Sequence, residues 1–297
     1  IRLLLTDLER VEKGKMIVLM ALIVISALFW GLYEQSYGPW VAMAERTMDL
    51  RTFGITWNAA QTTAFGAIFV ILFSLPFAWL WPKLDKRGLN PSYPAKFAWG
   101  LVFCGLAFGV LAFSTGTAGE DGLVSVWWMI LAYAVLVAGE MVLSPIGLSA
   151  VTTLSIKRAV GLMMGAWFLF SAFGEIIAGR MGTWAAIEPE ADGSISSAKA
   201  LAVYGDVFTD MMWIGLAAGL LMFVLTPVLK RFAPKHSGVE IELHCEQSPS
   251  LIPRVARGEL DLALVSRDHA RRGTLLFHEP MVWVGSAQFE LWRRDPL

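Results

Sequence analysis

Hydrophobic residues occur along most of this chain in long runs that are separated by short polar connections. A helix rises about 1.5 Å per residue, so roughly 20 apolar residues cross about 30 Å of hydrocarbon. Six runs reach approximately that length, which predicts an all-α membrane protein with six transmembrane helices. The predicted spans are Met16–Tyr37, Thr62–Trp81, Phe97–Ser114, Val126–Leu148, Val160–Arg180 and Met211–Leu229.

The charged residues in the connections alternate in sign along the chain. Because cytoplasmic loops of membrane proteins carry an excess of Lys and Arg, the basic connections are predicted to be cytoplasmic. Both ends of the six-helix unit are then cytoplasmic, as an even number of spans requires. The basic set contains Lys13, Lys15, Lys83, Lys86, Arg87, Lys96, Lys157, Arg158, Lys230, Arg231 and Lys235, and the acidic set contains Glu120, Asp121, Glu188, Glu190, Asp192 and Asp206.

The pattern changes after Pro234. Residues 239–246 alternate apolar and polar side chains, which is typical of a half-buried strand, and a short helix is predicted to follow. Apolar runs at 260–265 and 275–286 predict two further strands. We therefore divide the chain into a six-helix domain, residues 1–235, and a small α/β fragment, residues 236–297.

Composition agrees with a membrane protein that is not an enzyme. Hydrophobic residues make up 56% of the chain and charged residues 16%, against about 25% charged in soluble domains. The net charge of -1 predicts no nucleic-acid partner. Cys104 and Cys245 lack the spacing of a metal or redox site, and the sequence contains no nucleophile–base pair or phosphate loop. We expect no metal and no cofactor.

Two acidic residues lie inside otherwise apolar runs, and one of them is Glu140 in the fourth span. An ionisable side chain inside a membrane needs a partner or a water-filled cavity, so it is a candidate functional residue. Ser144 and Gly147 share its helix face, and Pro145 favours a kink beside that face. This pattern predicts a substrate or proton site. The alternative is that Glu140 pairs with another helix.

The second acid is Glu34, near the end of the first span. Gly31 and Gly38 flank it and allow close approach of a helix or ligand, and Gln35 adds an amide. A buried acid that protonates reversibly is suited to proton coupling. The alternative is that Glu34 lies near the outer interface and is solvated.

The fifth span carries an indole, a hydroxyl and an acid on one helix face. Trp167, Ser171 and Glu175 recur at i, i+4 and i+8, and together they predict the lining of a polar cavity. In the alternative interpretation, Glu175 pairs with Arg180 at the interface.

Three stretches are specific enough to indicate a family. They are FWGLYEQ, residues 29–35, GEMVLSPIGLSAVTTLS, residues 139–155, and KRAVGLMMGAWFLFSAFGEIIAG, residues 157–179. They resemble the seventh, tenth and eleventh helices of bacterial proton-dependent oligopeptide transporters, a family of the major facilitator superfamily. The resemblance covers about residues 1–235 and implies the C-terminal six-helix half of such a transporter.

This resemblance implies a function and a role for each candidate residue. The function is symport of di- and tripeptides with protons across the bacterial inner membrane, with the proton as coupling ion and an N-terminal six-helix half as partner. Glu140 then contacts the peptide amino terminus, Glu34 takes part in proton coupling and gating, and Trp167 and Ser171 line the peptide pocket. Ser144, Gln35 and Glu175 are further pocket candidates.

The end of the chain resembles a different family. Residues 239–265 and 277–286 look like parts of the effector-binding domain of LysR-type transcriptional regulators. Three alternatives to a peptide-transporter half remain: an inactive truncated or fused fragment, a membrane-tethered ligand-binding module, and a facilitator for another solute, which the peptide-family motifs disfavour. The first residue is Ile1 rather than Met, and we expect the chain to be a piece of a longer protein.

Overall fold

The computed structural model describes part of the chain, and the described residues are 10–52, 54–190, 193–232 and 257. Contacts divide the chain into two compact units, Ile1–Ser237 and Gly238–Leu297. Apart from Arg257, the second unit lies outside the described residues. The α/β fragment predicted from the sequence falls there and stays a prediction.

The first unit is almost entirely helical. Its α-helices, within the described residues, are α1 (Arg10–Tyr33), α2 (Pro39–Thr47), α3 (Ala64–Lys86), α4 (Tyr93–Ser114), α5 (Trp127–Leu154), α6 (Val160–Gly182) and α7 (Ser197–Phe232). Single turns of 3-10 helix adjoin them at Glu34–Tyr37, Ala59–Thr63, Thr115–Thr117, Lys157–Ala159 and Thr183–Ala185.

In the described connections there are four two-residue strands: β1 (Met48–Asp49), β2 (Arg51–Thr52), β3 (Ile55–Thr56) and β4 (Val124–Ser125). β2 and β3 form a small antiparallel hairpin. β1 pairs in parallel with β4, with Met48 opposite Val124. This pairing joins the end of α2 to the start of α5.

Among the helices that the structure describes, six, all except α2, are long and apolar enough to cross a membrane. This confirms the six spans that hydropathy predicts. The largest difference is at α7, which begins at Ser197 rather than at Met211. Its first turns carry charged residues that lower the hydropathy, yet they bury one face through Ala200, Tyr204 and Phe208.

Glycines allow three pairs of helices to approach closely. Between α4 and α7, a Cβ atom added to Gly215 would lie 2.7 Å from the Cα atom of Gly105. Between α4 and α5, a Cβ added to Gly139 would lie 2.9 Å from the carbonyl oxygen of Gly100. Between α1 and α6, a Cβ added to Gly174 would lie 2.9 Å from the carbonyl oxygen of Ala27. Larger side chains at these contacts would therefore push the backbones apart.

Lysines cover tryptophan rings where α3 ends and α4 begins. The Lys83 Nζ lies 3.9 Å from the centre of the Trp79 ring, and the Lys96 Nζ lies 4.2 Å from that of Trp81. Long basic side chains and indoles together are typical of a membrane–water interface.

Candidate functional site

The site begins where α1 ends. α1 stops at Tyr33, residues 34–37 form a turn of 3-10 helix, and α2 starts at Pro39. Proline has no N–H to donate, so it fits the first position of α2 but would interrupt a continuous helix. This change of helix places Glu34 at a junction between two elements, half-buried against its neighbours.

Glu140 binds a residue that the sequence pattern does not single out. The Tyr33 hydroxyl donates a hydrogen bond of 2.8 Å to the Glu140 Oε2. Tyr33 is buried and Glu140 is half-buried on α5. In the described part of the chain, no basic side chain forms an ion pair with Glu140. The carboxylate is therefore held by a neutral donor.

Three acids from three elements lie near one another. Glu34 is close enough to Glu175 on α6 and to Glu140 on α5 for their negative charges to interact. Glu175 is exposed, and it makes no ion pair with Arg180 among the described residues. Because these negative charges are concentrated beside apolar helices, the cluster is suited to attract a proton or a cationic group.

Gln35 joins α1 to α6. Its Nε2 donates to the carbonyl oxygens of Gly31, at 2.8 Å, and Ala178, at 3.0 Å. The side chain is buried, and its Oε1 has no hydrogen-bond partner within the described ranges. In this conformation, Gln35 thus fixes the end of α1 against α6 and does not face an open pocket.

Trp167 packs between helices. Its indole covers Gly147 so closely that a Cβ atom there would overlap the ring, and Phe97 meets it edge-on at 6.2 Å. The Ser171 hydroxyl donates to the Trp167 carbonyl oxygen at 3.1 Å, within its own helix. The structure thus brings Trp167 to the α5 face that also carries Glu140 and Ser144, since Gly147 lies on that face.

Metal ligation finds no support in the described residues. No group of three or more His, Cys, Asp or Glu side chains there has a geometry that could hold a metal ion. The arrangement offers a hydrogen-bonded carboxylate on α5, a second acid at the α1 junction and a third acid on α6.

Comparison with known proteins gives the same family for most of the chain. Residues 4–195 match the POT family. Dipeptide and tripeptide permease A from Yersinia pestis is 33% identical over 238 residues, which cover 79% of this chain and 46% of that protein. The permease of the same name from Erwinia pyrifoliae is 34% identical over 227 residues, covering 75% of this chain and 44% of that protein. The chain thus spans about half the length of the curated relatives that it matches.

Solved structures and a second family complete the comparison. A crystal structure of peptide transporter POT in complex with sulfate superposes with a TM-score of 0.63 at 30% identity, covering 77% of this chain and 43% of that one. A POT family transporter in complex with 5-aminolevulinic acid gives a TM-score of 0.63 at 26% identity, covering 75% of this chain and 43% of that one. Residues 214–297 match the LysR substrate binding domain. That match begins inside α7, which continues to Phe232.

Proposed function

Because the chain belongs to the POT family, we propose that residues 1–235 form the C-terminal half of a proton-coupled symporter for di- and tripeptides. The membrane is the inner membrane of a bacterium, and both ends of the six-helix unit face the cytoplasm. The coupling ion is the proton. The transporter half is completed by an N-terminal half, and residues 236–297 form a LysR-type α/β fragment.

The Glu140 carboxylate is the observation that carries this proposal. It lies in an apolar helix, and in the described residues its only hydrogen bond comes from a neutral phenol. A carboxylate in such surroundings is stabilised by a cationic ligand. The ammonium group of a peptide supplies that charge. Ser144 and Ser171 continue the site along α5 and α6 and contact the rest of the peptide. The buried Trp167 indole supports this surface from behind by packing on Gly147.

Glu34 supplies the proton site. It lies at the junction between α1 and the 3-10 turn, close enough to Glu175 and Glu140 for their charges to interact. Loading a proton at Glu34 changes the charge beside Glu140 without breaking a contact of Glu140 itself. Proton binding and peptide binding are therefore linked through the charges of these acids.

The exposed surfaces of this unit support a partner half. α3 and α6 are the least buried of the six spans, although both are apolar. The acids of the site also lie at the surface of the unit or half-buried within it. In a bilayer, lipid cannot solvate such acids, so protein or water must cover them. The N-terminal half supplies this cover and the cationic residues for the peptide carboxylate.

Uptake of a labelled dipeptide tests the proposal. The reassembled transporter is this chain co-expressed with the N-terminal half of a dipeptide and tripeptide permease and placed in proteoliposomes. With an inward proton gradient it should accumulate dialanine. Glu140→Gln should weaken dialanine binding more than tenfold, since a desolvated charge pair is worth roughly 2–5 kcal/mol. Glu190→Gln removes an exposed acid and serves as control. Equal affinity in the Glu140 variant and the unsubstituted protein would contradict the assignment.

A further inference from the structure

Tyr33 and Glu140 come from elements that are far apart in sequence. The bond between the Tyr33 hydroxyl and the Glu140 Oε2 is 2.8 Å long and joins residues separated by 107 positions. A hydrogen bond to a charged group is among the stronger ones in proteins, and the length of this one is ordinary for a hydroxyl donor. It therefore fixes where one carboxylate oxygen of Glu140 lies relative to α1.

The phenol that makes this bond is itself held in place. The Tyr33 ring packs against Phe29 at 5.9 Å, Trp30 at 5.4 Å and Tyr37 at 6.4 Å, measured between ring centres. Three aromatic neighbours leave the buried ring little freedom to change rotamer. The hydroxyl is thus a rigid donor, and the carboxylate that accepts from it takes a defined orientation.

The other oxygen of Glu140 has no partner among the described residues. Glu140 Oε1 accepts no hydrogen bond there, and it is not fully buried. An ionised carboxylate has about four acceptor positions, so a donor on one oxygen leaves the second available. Tyr33 and a ligand can therefore bind Glu140 at the same time.

We propose that Tyr33 is a positioning residue that orients Glu140 so that its Oε1 faces the amino group of the ligand. Tyr33 thereby makes the site selective for ligands with a free, charged amine. This inference rests on the proposed function, because it names the group that Glu140 recognises. It adds that the selectivity depends on an α1 side chain that does not itself touch the amine.

Selectivity for a peptide with a free amine over one with a blocked amine shows whether Tyr33 positions Glu140 or has only a general structural role. In the reassembled transporter, dissociation constants are measured for dialanine and for N-acetyl-dialanine, which lacks the charge. Tyr33→Phe should weaken dialanine binding about tenfold and leave N-acetyl-dialanine binding almost unchanged. The selectivity ratio, which is the dissociation constant of N-acetyl-dialanine divided by that of dialanine, should therefore fall about tenfold.

Tyr133→Phe is the matched control. Tyr133 is also a buried tyrosine, and its hydroxyl donates to the carbonyl oxygen of Ser36 at 2.9 Å. This bond joins α5 to the 3-10 turn that follows α1, and it does not involve a carboxylate. Its loss should leave the selectivity ratio unchanged. Infrared difference spectra of the purified 297-residue chain give a second measurement, since Tyr33→Phe should shift the carboxylate band that Glu140→Gln removes.

The possible results distinguish a failure of the role of Tyr33 from a failure of the proposed function. Binding of dialanine by the unsubstituted protein with an unchanged ratio in Tyr33→Phe would overturn the role of Tyr33 alone. An equal fall of the ratio in both tyrosine variants, or an unshifted carboxylate band, would do the same. Absence of dialanine binding by the unsubstituted protein would overturn the proposed function, and this inference with it.

Discussion

At the residue scale, the two predicted acids differ in what surrounds them. Glu140 lies in the middle of α5 and accepts a hydrogen bond from Tyr33. Glu34 has no hydrogen bond to another described side chain, and its charge interacts with those of two other acids. One acid is thus held in place and the other has no such partner, which agrees with the separate roles that we propose for them.

Substitution of Glu34 tests this division. Glu34→Gln should abolish accumulation of dialanine driven by a proton gradient, because the residue can no longer release and rebind a proton. Counterflow of dialanine should persist, since exchange of internal for external peptide needs no net proton movement. Both rates are measured in proteoliposomes that contain the reassembled transporter. An equal loss in the two assays would assign Glu34 to peptide binding or folding.

Sequence alone identifies the acids but not their partner. Glu34 and Glu140 are conspicuous because ionisable side chains are rare in apolar runs. Tyr33 gives no such signal, because tyrosine is common in membrane helices and its partner is 107 positions away. Likewise, nothing in the spacing of Trp167 indicates that its ring covers Gly147 on another helix. Contacts between helices depend on packing, which a hydropathy pattern does not specify.

At the element scale, α4 and α7 depend on two glycines that face each other. Gly215→Leu should lower the free energy of unfolding by about 1–3 kcal/mol, the usual cost of overpacking, because the added side chain meets the Gly105 backbone. Thermal or denaturant unfolding of the purified chain, followed by tryptophan fluorescence, measures the change.

Gly165→Leu is the control for this substitution. Among the described residues, no atom lies within 4 Å of a Cβ built on Gly165 or on Gly161, although the two have the GxxxG spacing typical of helix pairs. Stability should therefore change little in this variant. A loss in Gly165→Leu as large as that in Gly215→Leu would show that the α4–α7 contact is not the cause.

The helices differ in how far the sequence predicts them. Hydropathy identifies the six spans because length and apolar content are local properties. It misses the early start of α7, where burial of Tyr204 and Phe208 against the bundle compensates for nearby charges. It also cannot tell which glycines pack, since Gly165 and Gly215 both lie in apolar helices and only Gly215 meets a neighbour among the described residues.

At the scale of the whole molecule, the distribution of charge predicts the orientation. Glu190 lies in the connection between α6 and α7, Lys86 ends α3, and both are exposed. In a chain whose own cysteines are replaced by serine, an impermeant thiol reagent outside the cell should label Glu190→Cys and not Lys86→Cys. The reverse pattern of labelling would contradict the positive-inside assignment.

The contact between α1 and α6 also affects how the molecule assembles during synthesis. Gln35 and Ala178, which are hydrogen-bonded across these two helices, are 143 residues apart. At about 5–20 residues per second, α6 leaves the ribosome roughly 7–30 s after α1. The span that contains α1 has the highest mean hydropathy of the six, and the one that contains α6 has the lowest. α1 is made first and belongs to the most apolar span, so it is well able to remain in the bilayer before α6 is made. α6 belongs to the least apolar span, and it enters the bilayer when the α1 surface that it binds is already there.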